Sequence, residues 1–413
     1  MNISKTKAIV LGGTAPHIEL IKQLKNRGYF VILVDYLDNP PAKSFADLHI
    51  QESTMDNEAV LKVAKEHDVQ LVISACVDQA NITACYVAEK LGLTKPYTYK
   101  IASEITNKGF MKRMMVEKGI PTTKYLYLDN GEEVKAFDLK FPVMVKPADS
   151  CAASGVKKAN NEEELTEFLL NAKSVSRTGR TVVEEFFSGV EVSAYCFVQD
   201  YVANVVMISE RLSVIEGDKQ VLKCYATITP PSISDIAIKK IKTAATEIAK
   251  AFELNNTPLH VQAIVRGDEI SIIEFAPRVG GGISYQTIRD NTGFDIISAT
   301  IDSYLEKKVD LKYSEIKYFY SVNLIYGLPS VFDHLDGADN LIDKGIIDSI
   351  HFHKTKGMRI TDDKASGGRI AAFLVRGNSR EEICQKVEYA MNNLDAYDVT
   401  GKSIIRRDLY IKK

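Results

Sequence analysis

The stretch H-V-Q-A-I-V-R-G-D-E-I-S-I-I-E-F-A-P-R-V-G-G-G-I-S-Y, residues 260–285, decides the fold. Two β-branched runs flank Arg266, Gly267, Asp268 and Glu269, and a Gly-Asp pair between alternating apolar residues reads as a β-hairpin. The second strand then departs from a simple core pattern. Ile272 and Ile273 belong in a core, but Glu274 follows at once, and Ala276, Pro277 and Arg278 lead into Gly280, Gly281 and Gly282. Glycines let a backbone approach a ligand closely. A carboxylate and a guanidinium at a strand end, facing such a loop, suit a metal-bound phosphate. The plain alternative is a surface hairpin carrying an Arg–Glu pair, and the residues upstream weigh against it.

Upstream, Phe141 to Pro147 is a strand that delivers Lys146 at its end, followed by the small-residue run Ala148 to Val156. Such a run can close over phosphates with backbone N–H groups and hydroxyls. Glu184 and Glu185 precede a Phe186-Phe187-Ser188-Gly189 hinge, and Glu191 lies just beyond it. Taken singly, each of these charges reads as an ordinary surface residue. The joint order of lysine, small-residue loop, Glu-Glu hinge, second Glu and Glu-x-x-x-Arg-x-Gly-Gly is much harder to obtain by chance.

The first hundred residues alternate strand and helix. Ala8–Leu11 reads as a strand, Gly12-Gly13-Thr14 as a tight turn, Pro16–Arg27 as a helix closed by Gly28, and Phe30–Asp35 as a second buried strand. This is a βαβ unit, and the pattern continues into a small parallel sheet. The turn lacks G-x-G-x-x-G spacing and Pro16 alters the helix start, so dinucleotide binding is disfavoured. Shaping the sheet, or meeting an acceptor substrate, is the better reading of this turn.

Composition fits this picture. The 413 residues exceed one ordinary core, and 45% hydrophobic with 26% charged content is that of a globular protein. A net charge of −2 offers no global field for nucleic acid or an anionic membrane. The six cysteines include no C-x-x-C pair, which fits reduced thiols in a cytoplasmic protein. The N-terminus has no signal-peptide core, and no apolar run approaches the ~18 residues of a membrane span.

Residues 100–300 resemble the ATP-grasp ligases, and more loosely the first hundred residues resemble the domain that precedes that fold. The resemblance implies a multidomain α/β and α+β protein: a Rossmann-like parallel-sheet domain over 1–105, a two-subdomain ATP-grasp domain over 106–310 with its lid near 120–185, and a small α+β domain over 311–413. It implies ATP and Mg²⁺ (or Mn²⁺) as requirements, and activation of a carboxylate as an acyl phosphate for attack by an amine. Lys108 and Lys146 would reach the ATP phosphates, with Ser150, Ser154 and Gly155 in the mobile phosphate loop. Glu184 would accept from the adenine amino group, Glu185, Phe186 and Phe187 would offer backbone bonds to the ring, and Glu191 would hold the ribose. Gln262 and Glu274 would ligate the metal, Arg278 would stabilise the transferred phosphoryl, and Gly280, Gly281 and Gly282 would hold the substrate.

Three departures from the family pattern stand out. Gln262 occupies a position that is usually acidic, Ala276 one that is commonly Asn, and the phosphate loop is poorer in glycine than usual. Whether Gln262 faces Glu274 depends on the turn. An odd-length connection pairs 262 with 274, while a two-residue turn sets Val261 there instead.

Beyond a polar stretch at Glu306–Glu315, strands at 318–325, 347–353 and 367–375 and a helix at 380–394 are expected. His351 and His353 share a strand face, where a satisfied pair is favoured over metal ligation for want of a third ligand. Gly367, Gly368 and Arg369 resemble a segment of the C-terminal domain of amino-acid ligases, and on that resemblance they would reach the substrate cleft. The expected partners are small carboxylate and amine substrates, with no nucleic acid or membrane; a homodimer is compatible. A phosphoribosylglycinamide synthetase-type ligase and a non-catalytic ATP-binding module are the alternatives.

Overall fold

A computed structural model describes residues 6–129, 138–150, 154–216, 221–363 and 365–410. Four short strands, in the order Leu48–Gln51, Phe30–Asp35, Lys7–Leu11 and Leu71–Ile73, form a parallel sheet. Ala8 to Leu11 and Val31 to Val34 are wholly buried; helices Ala15–Asn26 and Asn57–His67 are crossovers between parallel strands, and helix Asp78–Leu91 follows the last of them. The loops after Lys7–Leu11 and Leu71–Ile73 therefore emerge side by side at the carboxyl edge, where open α/β sheets bind ligands.

At that edge the turn Gly12–Thr14 is occupied from within. The Thr14 N–H donates to Nδ1 of His17 at 3.3 Å, and Nε2 lies 3.3 Å from the Ser74 hydroxyl. Burial lowers the His17 pKa to about 3, so the ring is neutral. Asp35, the acid ending the second strand, accepts from the Leu37 N–H at 2.9 Å. Both cues that suggested a dinucleotide site serve the local turn.

An antiparallel sheet of four strands, ordered Tyr125–Leu128, Thr181–Glu185, Val143–Pro147 and Lys157–Ala159, is backed by helix Glu162–Val175. Asn161 caps that helix, accepting from the Glu164 N–H, and three glutamates in its first turn complement the helix dipole. Val143, Val145, Leu165, Phe168 and Val183 form a core of their own.

The largest sheet has eight strands, ordered Glu269–Ala276, Thr257–Arg266, Val190–Gln199, Val202–Glu216, Val221–Thr229, Phe319–Tyr326, Arg369–Gly377 and Ser349–Phe352. Helix Asp235–Ala251 packs its apolar stripe, Ile241, Ala244, Ala245 and Ile248, on one face. The N-terminal unit and helices Ser284–Thr292 and Ile296–Tyr304 share a core with the other. Residues after 310 thus extend the central sheet: Phe319–Tyr326 pairs with Val221–Thr229, and the Arg380 guanidinium forks onto Glu210 at 2.8 and 2.9 Å.

Candidate functional site

A cleft of about 470 Å³ opens where the N-terminal sheet edge, the eight-stranded sheet and the glycine loop meet. The hairpin supplies its floor. Register places Gln262 opposite Glu274, because a one-residue shift between Gln262 and Ala263 absorbs the two-residue turn. Both side chains line the cleft. Among the described residues no hydrogen bond or ion pair fixes either one.

Arg278 is held from outside the hairpin. Its Nε donates to Asp78 Oδ1 at 2.8 Å and its second terminal nitrogen to Oδ2 at 3.3 Å. Asp78 begins the helix that follows strand Leu71–Ile73, so the N-terminal unit positions this arginine. A further nitrogen lies 3.3 Å from Nδ1 of His260, which stacks on Tyr195 with centroids 5.2 Å apart. Burial works against the Arg278 charge, and Asp78 more than offsets it, holding the guanidinium pKa above its ordinary value. Burial, Arg278 and Arg211 push His260 well below the usual histidine range, so it is a neutral acceptor. The cleft wall here is glycine by necessity: a Cβ on Gly280 would overlap the Tyr195 ring. Gly281 and Gly282 line the cavity itself.

The lysines come from the opposite side. Asn107 caps helix Lys108–Glu117 by accepting from the Phe110 N–H, and Gly109 lets that helix cross the Tyr127 ring, where a Cβ would collide. Lys108 lines the cleft and its ammonium donates to the Ser150 carbonyl. Ser150 donates to the Ser154 carbonyl at 2.8 Å, and Gly155 has a φ of +72°; Cys151, Ala152 and Ala153 of the expected phosphate loop lie outside the described residues.

Lys146 and Glu184 sit deeper, beyond the cleft lining. Lys146 is ion-paired to Glu184 Oε1, and Lys112 reaches Oε2 at 2.5 Å. Thr123 also donates to Oε2, at 3.2 Å. Two ammoniums thus share one carboxylate. Burial lowers the pKa of each lysine to about 7; at Lys146 the charge of Lys112 adds to it, and Glu274 partly offsets the shift at both. On the hinge, the N–H groups of Glu185 and Phe186 are already bonded to the carbonyls of Lys124 and Pro142, at 2.9 and 3.0 Å. A purine contact from these two residues would therefore run through carbonyls. Phe187 lies under the Arg266 guanidinium, 4.3 Å from ring centroid to cation. Glu191 pairs with Arg211 at 2.7 Å, its direct neighbour across the ladder, and Arg211 faces the cleft.

Five residues that the sequence did not single out help build the site: Asp78, Lys112, Arg211, His260 and Thr123. Lys112 carried a usable signal, since it stands one helical turn after Lys108 and so shares its face. Arg369 reaches the cleft as expected, its Nε donating to the Tyr326 hydroxyl at 3.1 Å. His353 also reaches it, but His351 contacts Ser349 at 3.2 Å and no third ligand joins them. Among the described residues no group of three or more His, Cys, Asp or Glu could hold a metal, so a cation here would take few protein ligands. No helix of the described residues is long and apolar enough to cross a membrane.

The architecture defines a class: a parallel-sheet unit joined to two α+β units, with a cleft lined by Lys108, a carboxylate–amide pair and a held arginine, and two further lysines buried behind it. The ATP-grasp domain family matches residues 139–287. The formate-dependent phosphoribosylglycinamide formyltransferase of Mannheimia haemolytica is 26% identical over 284 residues, covering 67% of this chain and 70% of that protein. Among solved structures, phosphoribosylglycinamide synthetase from Anaerococcus prevotii superposes with a TM-score of 0.74 at 20% identity, over 96% of this chain and 100% of the other. L-amino acid ligase from Bacillus licheniformis gives 0.78 at 17%, over 96% and 99%. Residues 139–287 are thus an ATP-grasp domain. At these identities the two structures speak to the fold alone.

Proposed function

We propose that this ATP-grasp enzyme is an ATP- and Mg²⁺-dependent ligase that phosphorylates a carboxylate and passes the acyl group to an amine, releasing ADP and phosphate. The observation that carries this reading is the Glu274–Gln262 pair, facing one another across the hairpin beside Arg278, in the same cleft as Lys108. A carboxylate is a poor electrophile, and phosphorylation gives it a leaving group. Charge then builds on the oxygens of the transferred phosphoryl, where preorganised cations are most effective.

In this reading Lys108 and Lys146 neutralise the phosphates, and Ser150, Ser154 and Gly155 close over them. Glu184 accepts from the adenine amino group, Glu185 to Phe187 face the ring with backbone groups, and Glu191 holds the ribose. The oxygens of Glu274 and Gln262 suit a hard divalent cation, whose remaining positions water and phosphate oxygens would fill. Mg²⁺ bound there supplies positive charge against the phosphates. Arg278, aimed by Asp78, stabilises the moving phosphoryl, and Gly281 and Gly282 let the donor carboxylate approach the backbone.

Hydroxylamine in place of the amine tests the intermediate. With ATP, Mg²⁺ and the correct acid it should yield a hydroxamate, and ADP formation without hydroxamate would oppose an acyl phosphate. The purine-pathway reading draws on the name of the Mannheimia relative; turnover of formate with a ribonucleotide amine, but not of amino-acid pairs, would select it.

A further inference from the structure

Lys112 is the most enclosed charge in the site, with a side chain 3% exposed. It belongs to none of the phosphate-binding roles above. Its ammonium has three donors, and three neighbours take them: Glu184 Oε2 at 2.5 Å, the Thr122 hydroxyl at 2.7 Å and the Thr123 hydroxyl at 3.4 Å. Thr122 passes the connection on by donating to the Ile272 carbonyl at 3.1 Å. Lys112 therefore ties strand Thr181–Glu185 to the strand that carries Glu274.

The two lysines on Glu184 are not equivalent. Lys146 stands at a strand end beside the phosphate loop, and it has the nucleotide phosphates as a competing partner. Lys112 itself is buried, and its other bonds run to the half-buried Thr122 and Thr123 hydroxyls rather than towards the phosphate loop. When Lys146 turns to phosphate, Lys112 and Thr123 alone remain to keep the Glu184 carboxylate ionised and aimed. An ionised carboxylate only accepts hydrogen bonds, whereas a protonated one can donate. The first suits a 6-amino purine and repels a 6-oxo purine; the second tolerates both.

We propose that Lys112 is a positioning residue for base selection, holding Glu184 as an obligate acceptor so that the site takes adenine and rejects 6-oxo purines. The inference rests on the nucleotide reading of this cleft given above. It separates Lys112 from Lys108, its neighbour one turn away, which serves phosphate and carries no information about the base.

Calorimetric titration with non-hydrolysable analogues of ATP and of inosine triphosphate tests it on the full chain. The wild type should prefer the adenine analogue, and Lys112→Met should reduce that preference about tenfold or more, the range for a bond to a charged group. The loss should come mainly from tighter binding of the inosine analogue. In a Glu184→Gln background the same substitution should change the preference by less than about twofold, since Lys112 acts through that carboxylate. Should Lys112→Met not fold, Thr123→Val removes the hydroxyl that donates to the same oxygen and accepts from Lys112, and should reduce the preference about fivefold. A preference unchanged in these variants, or an equal weakening of both analogues, overturns the role of Lys112. Failure of the wild type to bind either analogue instead overturns the nucleotide reading itself.

Discussion

Replacing Lys146 with methionine should move stability and nucleotide affinity in opposite directions. In the unliganded protein two ammoniums, Lys112 and Lys146, are buried against the single Glu184 carboxylate. Removing one leaves a matched pair, and the desolvation cost of the surplus charge disappears while a side chain of similar length fills the space. The melting temperature should therefore stay level or rise. Affinity should fall. Release of Lys146 from Glu184 costs little, because Lys112 at 2.5 Å and Thr123 at 3.2 Å keep that carboxylate partnered. Most of the ammonium–phosphate interaction then appears as binding, ~1.5–3 kcal/mol for a charge-assisted bond, which is about 10- to 150-fold in Kd. Differential scanning calorimetry and isothermal titration with an ATP analogue read the two quantities separately. A methionine variant that binds as tightly as wild type would remove Lys146 from the phosphate site. A large loss of melting temperature with unchanged affinity would make it a structural residue only.

Three further outcomes follow from the same geometry. Glu274→Gln should leave metal-free nucleotide affinity within a few-fold while abolishing Mg²⁺-dependent turnover, read by ADP release across a Mg²⁺ series, since a hard cation prefers carboxylate oxygen. Asp78→Asn should lower kcat by about 10- to 100-fold with little change in the KM for ATP, because it frees Arg278 from a charge-assisted pair worth ~1.5–3 kcal/mol; equal activity would show that Arg278 needs no aiming. The lysine cluster gives a pH dependence of definite sign: with pKa values lowered to about 7, the ammoniums are charged below that pH and lose protons above it. Phosphate binding must draw protons back, so affinity should weaken above pH 7, and titrations at pH 8 in buffers of different ionisation enthalpy should show proton uptake. Zero uptake at pH 8 would contradict that assignment.

The sequence was most legible where neighbours in the chain are neighbours in space. Alternation and turn residues disclose the hairpin from His260 to Ala276, and apolar runs disclose three of the four parallel strands of the first hundred residues, the polar Leu48–Gln51 being missed; the glycine loop follows its strand directly. The register of Gln262 against Glu274 was not legible, because it hangs on a single-residue irregularity that either strand could have absorbed. Asp78 and Lys112 were missed for another reason. Their partners, Arg278 and Glu184, lie far along the chain and meet them only through tertiary packing. The polar segment Glu306–Glu315 suggested a break, and the described chain has no regular element there, but the central sheet resumes beyond it at Phe319 through pairing with Val221–Thr229. Composition cannot report a strand's partner when that partner is some hundred residues away.

The fate of the nucleotide tests the central claim most directly. Glu274, Gln262 and Arg278 form one group around the place assigned to the terminal phosphoryl, so attack should fall on the γ-phosphorus. Chromatography of the spent nucleotide after turnover with the correct acid and amine should show ADP and inorganic phosphate in equal amounts. AMP and pyrophosphate as the stoichiometric products would contradict the account.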